Sequence, residues 1–123
     1  MNKKRVVVTG LGIVSPLGLN VEDTWRGILA GKSSVGLIDH FDASDISCRI
    51  CSHVKNFDPS AWMPEKEARK RDLFIQYGIA AAVEAINDSG LTVTDDNAHR
   101  IGLAIGSGIG GLETFETEVL GWA

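Results

Sequence analysis

Apolar residues in this chain fall into two kinds of run. Two short blocks, Val6 to Val8 and Ile101 to Gly106, carry no charged or strongly polar interruption. Such blocks suit strands covered on both faces, as in α/β sheets, so each predicts a buried strand and the first opens the domain. Elsewhere the apolar positions recur at intervals of three and four. Ile75, Ile79, Ala82, Val83 and Ile86 predict a long helix that packs inside, capped by Asp72 and stopped by Ser89 and Gly90. Asn20 is placed to cap a helix over Val21 to Ala30, and Leu112, Phe115, Val119 and Trp122 mark a last amphipathic helix. Ile46 to Val54 alternates like a strand. Phe57, Asp58 and Pro59 signal a turn, and Pro64 opens a short basic helix on which Lys66, Arg69 and Lys70 share one face. The alternation of strands and helices is that of an α/β domain.

Two glycine turns interrupt this pattern. Gly10, Gly12 and Ser15 stand where a dinucleotide fingerprint places its small residues, but Pro16, Leu17 and Gly18 delay the helix whose amides would meet a pyrophosphate. Gly106, Gly108 and Gly111 match G-x-G-x-x-G after a strand and before a helix. Here Glu113 and Glu116 lie near the position of a bound anion and would repel it. The second loop therefore reads as a place of close backbone approach, with Ile109 thrust out as a lone apolar side chain that needs a wall or ligand.

Composition narrows the class. The chain has 123 residues, 44% of them hydrophobic, with three Trp, enough to bury a core in one domain or in one half of something larger. A formal net charge of −4 argues against a general nucleic-acid binder, while leaving room for a local basic patch toward an acidic partner. Lys3, Lys4 and Arg5 precede an apolar run, but Gly10, Gly12, Pro16 and Gly18 break it before it resembles a signal peptide. No stretch is apolar for long enough to span a bilayer. A cytoplasmic protein is expected, with no linker and no internal repeat.

Cys48 and Cys51 form a C-x-x-C with His53 close behind. A redox pair belongs at a helix N-terminus, whereas strand alternation puts these two thiols on opposite faces. Zinc needs four ligands, no second C-x-x-C exists, and His40 and His99 stand unpaired in the sequence. Structural thiols, no metal site and no cofactor are the expectation.

Four ordered segments carry a family resemblance: RVVVTGLGIVSPLG from Arg5, KEARKRDLFIQYGIAAA from Lys66, DSG at Asp88 to Gly90, and RIGLAIGSGIGG from Arg100. Together they resemble the N-terminal portion of the 3-oxoacyl-[acyl-carrier-protein] synthases, type II in particular, from about Lys3 to Leu112. The resemblance implies a thiolase-like α/β fold, in which two similar halves stack sheets and helices in alternating layers and pair as a homodimer. Residues 1–123 would be the N-terminal part of the first half, ending before the nucleophile. The amphipathic last helix, with nothing after it to cover its apolar face, fits a fragment.

The implied activity is fatty acid synthesis by decarboxylative condensation of malonyl carrier protein with an acyl group held on a Cys, two His assisting. None of these catalytic residues would lie in this stretch, so the fragment alone would be inactive. The resemblance places Gly108, Ile109 and Gly110 at the acyl pocket, Ile109 as a movable gate. It also places acyl carrier protein, in acyl and malonyl forms, on Lys66, Arg69 and Lys70, with Glu65 and Glu67 falling to the sides of that basic face. A plain solvated helix face is the competing reading. A non-catalytic chain-length partner and a nucleotide-dependent oxidoreductase are the alternative functions.

Overall fold

A computed structural model describes residues 3–122, which divide into two units, one of residues 13–57 and one joining residues 3–12 to 58–122. The smaller unit holds helix α1, Val21–Leu29, and a two-stranded antiparallel pair, β1 (Gly36–Leu37) and β2 (Ile50–Cys51), in register Gly36 to Cys51 and Leu37 to Ile50. Asn20 caps α1 as expected, its side chain accepting a 2.8 Å hydrogen bond from the Asp23 amide. The turn before it is closed reciprocally between Ser15 and Gly18, and the Ser15 hydroxyl meets that of buried Thr24 at 2.8 Å. The Ser15 hydroxyl is thus committed to the turn, and a phosphate would find it occupied.

The larger unit is organised on the long helix. Helix α2 covers Glu65–Ala68, α3 Leu73–Ser89 and α4 Leu112–Gly121. Gly90 ends α3 in the left-handed region at φ 64°, as its sequence predicted. Ala80 on α3, 1% exposed, is with Met63 and Ala68 one of the buried apolar residues of a small core. The first glycine turn is explained here. A Cβ on Gly12 would strike the Ala81 carbonyl oxygen and come 2.7 Å from the Ala85 amide nitrogen, while one on Gly10 would come 2.6 Å from the Ser89 amide nitrogen. Neither glycine has positive φ. They let residues 10–12 lie against the backbone of α3, and the Leu11 amide donates to Asp88 Oδ2 at 2.8 Å in the same contact.

Several expected elements differ. Neither Val6 to Val8 nor Ile101 to Gly106 is a strand among the described residues, and Val6 is 94% exposed. A strand exists through its ladder partners, and no described residue supplies one, so the apolar faces that predicted burial stand open. The strand expected over Ile46 to Val54 shrinks to β2 because β1 offers only two partner residues. The sizeable core expected from composition is correspondingly small. The α4 residues Leu112, Phe115 and Val119, and Trp122 just past its end, are all exposed. Asp72 stands at the N-cap position of α3 without a side-chain cap bond, because its carboxylate is engaged by Thr114 Oγ1.

Candidate functional site

Pro64 breaks the chain before α2 and starts it with its fixed φ of −59°, which leaves a single helical turn carrying Lys66, with Arg69 and Lys70 just past its end. All three cations are exposed. The expectation that Glu65 and Glu67 fall aside is corrected: Glu65 pairs with Arg69, and Glu67 pairs with Arg71 at 3.0 Å, each at i,i+4. Such exposed pairs are worth little energy, but they cancel the charge of Arg69 and Arg71 locally. Lys66 and Lys70 have no ion pair among the described residues, so they carry the net positive charge of this face. Together with Glu65 and Arg69 they line a shallow hollow of about 320 Å³.

Gln76, which sequence reasoning passed over as an ordinary polar residue of α3, fixes this helix in place. Its buried Nε2 donates to the Ala68 carbonyl at 3.0 Å and the Arg71 carbonyl at 2.8 Å, tying the end of α2 to the first turns of α3. Only its position in a mainly apolar helical face hinted at such a role.

The second glycine loop runs beside the start of α3. Gly110 adopts φ 91°, which glycine alone adopts without strain, and a Cβ there would lie 3.9 Å from the Phe74 ring. Gly106 and Gly108 have open space around them. Ile109, between Gly108 and Gly110, is 80% exposed, free of any wall among the described residues. Phe74 lines two hollows: one of about 370 Å³ with Ile75, Ile79, Ile105 and Ser107, and one of about 540 Å³ with Arg71, Asp72, Gly110, Gly111 and Thr114. The N-terminus of α4 is already faced by a carboxylate, since Asp72 sits where a Cβ on Gly111 would be. A pyrophosphate would meet this anion, and the G-x-G-x-x-G match is therefore no dinucleotide cradle.

In the smaller unit, His40, expected without a partner, lies with its ring centroid 4.7 Å from that of His53. His53 Nδ1 is 3.6 Å from Cys51 Sγ. Asp39 joins them, its carboxyl held below the ordinary range chiefly by a 2.8 Å bond from Lys55. His40, Cys51 and His53 are the group among the described residues able to hold a metal ion. Cys48 is exposed, His99 lies in the other unit, and both thiols are free.

A family model described as "Beta-ketoacyl synthase, N-terminal domain" matches residues 3–120. The chain belongs to the beta-ketoacyl synthase family. Within the family it is 57% identical over 117 residues to the 3-oxoacyl-[acyl-carrier-protein] synthase 2 of Vibrio cholerae, covering 95% of this chain and 28% of that protein. It is 50% identical over 116 residues to the protein of the same name from Coxiella burnetii, covering 94% and 28%. Among solved structures, "The ishigamide ketosynthase/chain length factor" superposes with a TM-score of 0.60 at 34% identity, over 70% of this chain and 21% of that one. The fold is thus part of a ketosynthase, thiolase-like α/β architecture, and the beta-ketoacyl synthase chain spans about 28% of the length of the curated relatives it matches.

Proposed function

We propose that the protein is a condensing acyltransferase of fatty acid biosynthesis, a 3-oxoacyl-[acyl-carrier-protein] synthase of type II. Identity of 57% to a relative of that name, spread over 95% of the chain, carries the reading. In the reaction a Cys thiolate attacks the acyl thioester and releases the carrier thiol. Malonyl carrier protein then loses CO₂, and the enolate carbon so formed attacks the acyl-enzyme carbonyl, expelling the Cys thiolate and leaving 3-oxoacyl carrier protein. The nucleophile and both assisting His lie outside residues 1–123. Cys48 and Cys51 are unsuited to the role, because Cys51 belongs to β2 and Cys48 to the loop before it, and neither has a helix N-terminus to stabilise its thiolate.

In this reading Lys66 and Lys70, with Arg69 beside them, receive the acidic carrier protein, and Ile109 with Gly108 and Gly110 gates the acyl pocket. Two facts support the gate: an exposed Ile on a glycine loop, and the apolar hollow at Phe74 next to it. The working enzyme is a cytoplasmic homodimer without a cofactor; no helix among the described residues is long and apolar enough to cross a membrane. A second reading, a non-catalytic partner that sets chain length, is favoured by the likeness to a structure titled as a ketosynthase/chain length factor. One assay divides them: full-length protein incubated with acyl and malonyl carrier proteins releases CO₂ and forms 3-oxoacyl carrier protein if it condenses. Binding of both carriers with no product would favour the chain-length partner, and product formed by residues 1–123 alone would refute the assignment of the chemistry to residues outside them.

A further inference from the structure

The segment after β1, the end of β2 and the residues just past it bring three metal-ligand side chains to one spot, and we propose that His40, Cys51 and His53 form a zinc site. Their donor atoms all lie within 4.8 Å of one another. Tetrahedral zinc, with bonds of about 2.3 Å to sulfur and 2.0–2.1 Å to nitrogen, sets a sulfur-to-nitrogen edge of about 3.5 Å. Cys51 Sγ and His53 Nδ1 stand 3.6 Å apart, so this edge is already formed. Cys51 ends β2 and His53 follows two residues later with its ring nitrogen at that sulfur, whereas Cys48 takes no part. Cys48 Sγ instead points at the Ile50 carbonyl, 3.8 Å away.

The surroundings are those of a ligand set. Zinc bound through His53 Nδ1 leaves the Nε2 proton facing Asp39 Oδ1 at 3.5 Å, and His40 Nδ1 stands 3.8 Å from the same oxygen. A carboxylate in that place orients metal-bound imidazoles and raises their basicity. Lys55, 2.8 Å from the other oxygen of Asp39, holds that carboxylate in place beside the rings. The donor set of one thiolate and two imidazoles matches a borderline-soft divalent ion, and a water completes the fourth position, since His40 is exposed and His53 half-buried. Binding deprotonates the Cys51 thiol and releases one proton. The ion would clip residues 38–40 onto β2, where the strand pair itself is only two residues long on each side. This inference is independent of the condensing activity, and it replaces the expectation of inert thiols with a ligand role for Cys51 alone.

The test uses the full-length protein, stripped with chelator and titrated at neutral pH with Zn²⁺ against a competing chromophoric chelator, then with Co²⁺ for its thiolate charge-transfer absorption. One zinc per chain is expected, with a cobalt–thiolate band and a melting temperature raised by zinc. Asp39→Asn should weaken zinc by about 10- to 100-fold, as loss of a supporting carboxylate does elsewhere. Cys51→Ser and His53→Ala should weaken it further, and Cys51→Ser nearly preserves side-chain volume, so the fold survives. Cys48→Ala should leave affinity within about twofold of wild type, because no part of the site touches it. Zinc affinity unchanged in Cys51→Ser and His53→Ala would overturn the site. So would equal loss in Cys48→Ala, which would make the C-x-x-C the chelate.

Discussion

Replacing Gly12 by Ala puts a methyl group into the backbone of α3. The added carbon would overlap the Ala81 carbonyl oxygen and lie 2.9 Å from the Ala81 carbonyl carbon. Against an optimal carbon separation of about 3.5 Å, residues 10–12 must retreat by at least roughly 0.6 Å. The obstacle is main chain in the middle of a 17-residue helix, which cannot rotate away as a side chain would. Overpacking costs about 1–3 kcal/mol, and the rigidity of the neighbour puts Gly12→Ala near the upper end. Retreat also strains the bond from the Leu11 amide to Asp88. Gly102→Ala is the control, since nothing lies within 4 Å of its new carbon and its φ is not positive. There the change should be neutral or stabilise by up to about 1 kcal/mol through the unfolded chain. Urea denaturation of the full-length protein reads both. A Gly12→Ala protein within about 0.5 kcal/mol of wild type, the scatter of ordinary surface changes, would refute the close-approach account. Equal damage from Gly102→Ala would do the same.

Gln76→Leu leaves the Ala68 and Arg71 carbonyls without their buried donor, and should cost about 1–3 kcal/mol. Amide exchange over residues 67–71 should quicken more than in the rest of α3; uniform or unchanged exchange would deny Gln76 its anchoring role. In full-length enzyme Ile109→Phe should depress turnover of long acyl chains more than short ones, because bulk at a gate narrows the path behind it. An equal loss at every chain length would count against the gate. The Asp58 carboxylate accepts the Ser60 amide at 2.9 Å, chiefly this bond lowering its pKa from the ordinary 3.8. Its contribution to stability is present above 3.8 and is lost as the pH falls through the lower folded value. Carboxyl NMR should show Asp58 titrating below 3.8, and a midpoint at or above that value would contradict the capping geometry.

Where structure is set locally, the sequence disclosed it. Asn20, Gly90 and the three-and-four spacing of Ile75, Ile79 and Val83 placed the helix ends and the long helix. Gly10 and Gly12, by contrast, read as a turn but not as the close neighbours of Ala81 and Ala85 that they prove to be. Pairing was not legible in the same way. Val6 to Val8 reads as a buried strand because β-branched apolar residues report what surface they would cover, while the ladder itself depends on chain far away or outside the described residues. The basic face was visible at α2, but which of its charges stay free depended on rotamers that join Glu65 to Arg69 and Glu67 to Arg71. The sequence set His53 close behind Cys51, yet nothing in it brought His40 to them across the loop between β1 and β2.

Carrier docking on α2 is tested most directly by a paired steady-state measurement on full-length enzyme carrying Lys66→Glu with Lys70→Glu. These two lysines are chosen over Arg69 because Arg69 already pairs with Glu65. Rim charges act mainly on encounter and are screened by salt. The apparent KM for acyl carrier protein should therefore rise roughly tenfold or more at low salt, a loss of about 1.4 kcal/mol, and the gap should narrow as salt is added. Turnover of a small acyl thioester that lacks the carrier should stay near the wild-type rate. Equal loss with both substrates, or a carrier KM that does not move at low salt, would contradict docking on this helix.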